Sequence, residues 1–148
     1  MNDHAALAAG KGDATLLDMK FPARAENLKD IRRAVRDAVT MAGCRDGMAN
    51  DIVIAIDEAC QNVIRHAYGG DSNETIELAM HVDGGELIVR IRDKAAPVDT
   101  AKISPRALDD LRPGGLGTHF MREIMDSVDY AAVSAERGNL LTMRKKIG

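Results

Sequence analysis

Residues 75–93 read TIELAMHVDGGELIVRIRD, and this stretch decides the fold. Apolar side chains alternate with polar ones on both sides of Asp83-Gly84-Gly85. An alternation with a period of two buries one face of each strand, and a short glycine-containing turn joins antiparallel neighbours. The stretch therefore predicts a β-hairpin that presents one apolar face to a hydrophobic layer.

Two amphipathic helices are predicted before the hairpin. Apolar residues recur at helical spacing over residues 26–43 and again over residues 46–68. A short strand at 15–21 precedes both helices and stops at Pro22. The polar side of the first helix is basic and is either a solvated stripe or a docking face for an acidic partner. Its basic residues are Lys29, Arg32, Arg33 and Arg36.

The chain after the hairpin contains a long connection and three further elements. Residues 93–113 contain three prolines and are typical of a functional or mobile loop. Residues 114–117, Gly-Gly-Leu-Gly, open a third helix, and two strands at 128–135 and 140–147 flank a turn at 136–139. The order β-α-α-β-β-loop-α-β-β predicts an α+β fold: a two-layer α/β sandwich with helices on one face of a mostly antiparallel sheet.

Length and composition restrict the class of protein. A chain of 148 residues suits one domain, which we place at 15–148 after a flexible tail at 1–14. Its net charge of −3 disfavours direct binding of nucleic acid. We expect neither a signal peptide nor a membrane span, and therefore a cytoplasmic protein. Cys44 and Cys60 lack the spacing of metal ligands, so buried, reduced thiols are expected.

The second helix carries the first candidate group of functional residues. Glu58, Asn62 and Arg65 follow one another at i, i+4 and i+7 and so share one face. A carboxylate can accept a proton, and an Asn carbonyl is a hard oxygen ligand that suits Mg²⁺ beside phosphates. A plain solvated face is the alternative for these residues. His66, taken alone, is expected to cap the helix or to pack.

Two further candidate groups lie at a strand end and at a helix start. Asp93 ends an apolar strand, where its carboxylate can accept a hydrogen bond from an exocyclic amine such as that of adenine. An ordinary strand-ending Asp is the alternative. Residues 114–118, Gly-Gly-Leu-Gly-Thr, offer free N–H groups and a positive helix dipole to a phosphate. A flexible turn into a helix is the alternative there.

The order of these three groups resembles the nucleotide-binding boxes of the GHKL, or Bergerat-fold, ATPases. The residues within and between these groups are similar to those of RsbW-type anti-sigma-factor serine kinases over roughly residues 15–147. The segments that carry this resemblance are Asp57-Glu58-Ala59-Cys60-Gln61-Asn62, His66-Ala67-Tyr68, Pro97-Val98-Asp99 and Gly114-Gly115-Leu116-Gly117 through Met125-Asp126.

The resemblance implies a protein kinase that uses Mg-ATP to phosphorylate a Ser or Thr of a STAS-type antagonist. It also implies a protein that binds and silences an alternative sigma factor, usually as a homodimer. Glu58 would then be the catalytic base, Asn62 would hold Mg²⁺ and Asp93 would recognise adenine. Arg32 would contact a partner protein. The nucleotide-binding residues implied are Asn62, Arg65, His66, Asp93, Ala95, Pro97, Arg112, Gly114, Gly115, Leu116, Gly117 and Thr118, with Arg112 placed by its charge and position to reach the γ-phosphate.

One position departs from the family pattern. The second box usually reads Asp-x-Gly, but residue 95 here is Ala. A methyl group at this point is compatible with close approach of a nucleotide only if the backbone φ is negative. Ala95 therefore motivates a second hypothesis, in which the chain is a nucleotide-silent regulatory module that sequesters its partner through the first helix without kinase activity.

Overall fold

The computed structural model describes residues 14–96, 121–133 and 138–148. The structure confirms the predicted fold class, because five strands form one antiparallel sheet and the helices complete an α+β fold. The strands are β1 (Ala14–Pro22), β2 (Thr75–Asp83), β3 (Glu86–Asp93), β4 (Ser127–Ala132) and β5 (Asn139–Lys146). The helices are α1 (Leu28–Met41) and α2 (Asp46–Asn62).

The sheet has the strand order β1-β2-β3-β5-β4. The predicted hairpin is confirmed, since β2 and β3 pair in register up to Asp83 opposite Glu86. Gly84 and Gly85 form its turn with φ values of 58° and 82°. Two successive positive φ values match the twist of antiparallel strands, and glycine adopts them without steric cost. The sequence therefore fixes the register at the centre of the sheet.

Both helices depart from regular α-helical geometry at one end. A 3₁₀ turn at Ala25–Asn27 leads into α1, and a π-helical turn at Val63–Ala67 extends α2. The apolar faces predicted for the two helices are buried, whereas the basic face of α1 is exposed. The buried residues of α1 are Leu28, Ile31, Val35, Ala38 and Val39.

The hydrophobic core lies between these helices and one face of the sheet. Ile52 and Ile56 of α2 are fully buried and belong to the same cluster as Leu78 and Met80 of β2. Complete burial of one such side chain stabilises the fold by roughly 1.5–3 kcal/mol. From Val89 onward β3 buries every second residue, namely Val89, Ile91 and Asp93, so the Asp93 carboxylate lies on the same face of the sheet as the core.

The cysteine prediction is also confirmed. Cys44 and Cys60 are both free and buried. Burial, together with the nearby charge of Asp57, raises the pKa of the Cys60 thiol to about 12. A thiol that stays protonated at neutral pH is a poor nucleophile, so the role of Cys60 is to pack in the hydrophobic core.

Several predictions concern parts of the chain outside the described residues. These are the N-terminal tail, most of the long connection, the start of the third helix and the turn before β5. The described part of the third helix covers residues 121–124, with Met121 and Met125 buried against the core. Within the described ranges, no helix is both long and apolar enough to cross a membrane.

Candidate functional site

The end of α2 presents a row of polar side chains beside the apolar core. Glu58 and Asn62 lie one helical turn apart, and His66 follows in the π-helical turn. The Oε2 atom of Glu58, the Oδ1 atom of Asn62 and the Nε2 atom of His66 are each shielded from solvent. Polar atoms that are shielded from water interact strongly with charge. This shielding distinguishes the row from a plain solvated face.

The π-helical turn starts immediately after Asn62. The N–H of Tyr68 donates to the carbonyl oxygen of Val63 at 3.0 Å, so the bond spans five residues instead of four. Turns of this kind are frequent at functional sites, because one additional residue redirects the side chains that follow. Here the redirected residues are His66 and Tyr68.

The Tyr68 hydroxyl joins the end of α2 to the sheet. It donates to the carbonyl oxygen of Thr75 at 2.8 Å and accepts from the N–H of Lys94 at 2.7 Å. Thr75 starts β2, and Lys94 directly follows the last residue of β3. The hydroxyl thus fixes the strand end that carries Asp93 relative to the helix that carries Asn62.

Asp93 is a buried carboxylate with an ordered set of donors. It is 1% exposed, and its Oδ1 atom accepts from the Ala95 N–H and from Asn139 Nδ2, both at 2.9 Å. A buried carboxylate is costly unless it is hydrogen-bonded, so these contacts explain how Asp93 is tolerated at the strand end. The same charge contributes, after burial itself, to a raised pKa of the nearby Tyr130 phenol.

Ala95 occupies the position at which the family pattern has glycine. Its N–H points back to Asp93, and its carbonyl oxygen accepts from the Gly138 N–H at 2.8 Å. The residue is 4% exposed, so its methyl group is buried. The chain accommodates this methyl group within a hydrogen-bonded turn.

The predicted residues Arg32 and Arg65 belong to a second polar chain on the outer side of the helices. The prediction that Arg65 shares one face with Glu58 and Asn62 is therefore wrong, because Arg65 is exposed and bonds to Gln61. Arg32 Nη1 donates to Asp57 Oδ1 at 3.0 Å, and Gln61 Nε2 donates to Asp57 Oδ2 at 2.8 Å. Arg65 Nη2 then donates to Gln61 Oε1 at 3.1 Å. This chain connects α1 to α2 through Asp57, the residue before Glu58.

The structure brings together two of the three candidate groups. The α2 row and the Asp93 strand end meet through Tyr68, as described above. The third group, with Gly114, Gly115, Leu116, Gly117 and Thr118, lies outside the described residues, as do Pro97 and Arg112. Its placement stays a prediction.

Sequence reasoning missed one buried residue of this region. The sequence predicts that Asn139 belongs to the turn at 136–139, but Asn139 is the first residue of β5 and pairs with Asp93. Glycine followed by asparagine is typical of turns, which explains the error. Sequence reasoning also gave no role to the Tyr68 hydroxyl. A tyrosine that directly follows a predicted helix was the available signal.

The family of histidine kinase-like ATPase domains matches residues 21–145. The chain belongs to this family. It is 31% identical to the serine-protein kinase RsbW of Bacillus pumilus (strain SAFR-032), over 88% of this chain and 85% of that protein. It is 30% identical to the serine-protein kinase RsbW of Bacillus subtilis (strain 168), over 80% of this chain and 79% of that protein. Within the family, the chain is therefore of the RsbW type, as the sequence motifs predict.

Solved structures support the fold of this histidine kinase-like ATPase domain. The RsbU and RsbW domains of a Mycobacterium tuberculosis protein align with a TM-score of 0.64 at 18% identity, over 88% of this chain and 31% of that longer chain. A chain of the SiaB-SiaC complex from Pseudomonas aeruginosa aligns with a TM-score of 0.61 at 14% identity, over 96% and 93%. At these identities, the likeness concerns the fold.

Membership of an ATPase family implies use of ATP, and the oxygen atoms of this site are consistent with that ligand. Asp93 is a buried acceptor at a strand end, which suits the amine of a base. The described ranges contain no group of three or more His, Cys, Asp or Glu residues that could hold a metal ion. Asn62 would offer one hard amide oxygen to a Mg²⁺ ion, and phosphate oxygens and water would have to supply the remaining ligands.

Proposed function

We propose that this chain is an ATP-dependent serine/threonine protein kinase and anti-sigma factor. In this role it phosphorylates a STAS-type antagonist and sequesters an alternative sigma factor, so that the two partners compete for it. The protein-kinase class follows from relatives that are named serine-protein kinases. The alternative of a nucleotide-silent module is not favoured by these names.

The observation that carries the proposal is the Tyr68 link. Phosphoryl transfer depends on positioning and electrostatics, so the group that recognises the base and the group that acts on the phosphate must be held in a fixed relation. The Tyr68 hydroxyl bonds to Lys94 beside Asp93, and Tyr68 itself follows the helix of Glu58 and Asn62. This arrangement supports a single nucleotide site across the two elements.

In the proposed mechanism, the chain's residues orient the reactants and move one proton. Asp93 accepts a hydrogen bond from the 6-amino group of adenine, and Asn62 offers its amide oxygen to the metal. Bound Mg²⁺ would neutralise charge on the β- and γ-phosphates. Glu58 orients the acceptor hydroxyl and takes its proton as the hydroxyl oxygen bonds to the γ-phosphorus and the bond to the ADP oxygen breaks.

Thermal melting tests whether the chain binds nucleotide at all. A ligand at 100 times its dissociation constant stabilises the folded state by about 2.7 kcal/mol, which raises the melting temperature of a domain of this size by several degrees. We expect this shift with millimolar Mg-ATP. An unchanged melting temperature would favour the nucleotide-silent module.

The substitution Glu58→Gln tests the proposed base. The amide keeps the size of the side chain but cannot accept the proton, so we expect ATP binding to persist while phosphotransfer falls by roughly 10²–10⁴-fold. The readout is transfer of labelled phosphate to a STAS-type antagonist. Asp51→Asn is the control, because it makes the same acid-to-amide change at an exposed residue of α2. Wild-type turnover by Glu58→Gln would exclude Glu58 as the base.

The basic face of α1 is the proposed docking surface for a partner. Arg32 is held by Asp57 at 3.0 Å, and its side chain remains 45% exposed. We expect Arg32→Ala to weaken binding of the antagonist, measured by titration calorimetry, while changing stability by less than about 1 kcal/mol, as is usual for exposed ion pairs. Arg90→Ala removes the same charge from an exposed residue of β3, away from the basic face of α1, and serves as the control. Equal affinities for the two variants would contradict a specific role of Arg32.

A cytoplasmic location and a homodimeric state complete the proposal. The homodimer is implied by the resemblance to RsbW-type kinases, and the location is the expectation drawn from the sequence. Sedimentation of the purified chain over a range of concentrations tests the dimer directly. A sedimentation coefficient that stays at the monomer value at every concentration would contradict it.

A further inference from the structure

The start of β5 forms a clamp on the segment that follows β3. We define this clamp as Asn139, the first residue of β5, together with Gly138 directly before it. Asn139 is 1% exposed, and its Nδ2 atom donates to Asp93 Oδ1 at 2.9 Å and to the carbonyl oxygen of Ala96 at 3.0 Å. One side-chain amide therefore holds both the carboxylate and the backbone three residues later.

Gly138 allows the clamp to approach its target closely. Its φ is +108°, and a Cβ atom at this position would lie 3.2 Å from the backbone oxygen of Asp93. Its N–H donates to the carbonyl oxygen of Ala95 at 2.8 Å. Only glycine combines this backbone conformation with so short a contact. The segment from Asp93 to Ala96 is thus held by Asn139, the first residue of β5, and by Gly138 directly before it.

The two carboxylate oxygens of Asp93 differ in their hydrogen bonds. Both side-chain contacts that Asp93 makes within the described residues end on Oδ1, from the Ala95 N–H and from Asn139 Nδ2. Two donors on one oxygen fix the rotation of the carboxylate about its last side-chain bond. Its second oxygen, Oδ2, then has a fixed direction and is the acceptor left for a donor on a ligand.

We propose that Asn139 is a positioning residue that gives the site its preference for a 6-aminopurine nucleotide, by holding the Asp93 carboxylate in the orientation that accepts the 6-amino group. This inference rests on the proposed nucleotide-binding function. Asn139 acts through Asp93 and does not itself touch the base. A carboxylate free to rotate would accept the same bond only part of the time, so selectivity would decrease.

A pair of nucleotides isolates this effect. ATP carries the 6-amino group, whereas purine riboside triphosphate has hydrogen in its place and is otherwise the same. A hydrogen bond to a charged group contributes enough free energy that the wild-type chain should bind Mg-ATP on the order of 10- to 100-fold more tightly than the analogue. Both dissociation constants are measured by titration calorimetry with the full-length chain.

We expect Asn139→Ala to reduce this preference to within about threefold, with little change in affinity for the analogue. Asn139→Leu should do the same without leaving a cavity, since the leucine side chain branches at the same atom, is larger than that of asparagine and has no donor. Thermal melting of each variant identifies those that remain folded. Thr142→Ala on the same strand is the control, because Thr142 points to the other face of the sheet, and it should keep the wild-type preference.

The outcomes separate this inference from the proposed function. If folded Asn139 variants lose affinity for both nucleotides equally, or keep the wild-type preference, the positioning role is refuted while nucleotide binding stands. The positioning role is also refuted if the wild-type chain binds ATP and the analogue with nearly equal dissociation constants. If the wild-type chain binds neither nucleotide, the proposed function itself fails and this inference fails with it.

Discussion

Removing the Tyr68 hydroxyl is the most direct test of how the site is assembled. The substitution Tyr68→Phe keeps the ring in place but deletes the bonds to Thr75 and to Lys94, which are 2.8 and 2.7 Å long. Lys94 is exposed, so its N–H can turn to water, and the ordinary net value of about 1 kcal/mol per hydrogen bond applies. We therefore expect a loss of about 2 kcal/mol in the free energy of unfolding.

For a domain of 148 residues, a loss of this size lowers the melting temperature by about 4–8 °C. Thermal and urea unfolding followed by circular dichroism measure it. Tyr130→Phe is the matched control, because the Tyr130 hydroxyl makes no hydrogen bond within the described part of the chain, and it should change stability by less than about 1 kcal/mol. If both variants melt at the same temperature, the link described here does not join the helix to the sheet.

Two further predictions concern the metal and the core. Asn62→Ala should reduce the Mg²⁺-dependent part of ATP affinity on the order of 10-fold or more. Asn50→Ala, which removes an exposed amide from the same helix, should not. Titrations with and without Mg²⁺ measure this difference, and equal effects would exclude Asn62 as a ligand. Stability should fall as pH rises above about 8.5, because the Cys60 thiol ionises there in the unfolded chain but only at about 12 in the folded protein. Urea midpoints at pH 8 and pH 10 measure this slope, which should be shallower in Cys60→Ala; identical slopes would contradict the raised pKa.

The elements that the sequence predicts well are those with local signals. The β2–β3 hairpin follows from a predominantly alternating pattern and two consecutive glycines, and both features act within a few residues. The amphipathic faces of α1 and α2 are likewise visible in the apolar spacing, and both are buried as expected. The family match over residues 21–145 agrees with the motifs that these elements carry.

The features that the sequence does not reveal depend on contacts distant along the chain. Asn139 and Asp93 are 46 positions apart, and only the pairing of β3 with β5 makes Asn139 a buried partner instead of a turn residue. The role of the Tyr68 hydroxyl also depends on a distant contact, since its bond to Lys94 spans 26 positions. The π-helical turn is invisible for another reason: its apolar residues fit a regular α-helix equally well.

That turn sets a limit on how the chain can change in length. The turn at Val63–Ala67 contains one residue more than an α-helical turn needs, and the residue after it, Tyr68, must arrive at the sheet in a set orientation. Deleting any one of these five residues would restore an ordinary helix and rotate Tyr68 by roughly 100° about the axis. Insertions and deletions in this short stretch should therefore disrupt the site even where single substitutions are harmless. The number of residues between Asn62 and Tyr68 is itself constrained.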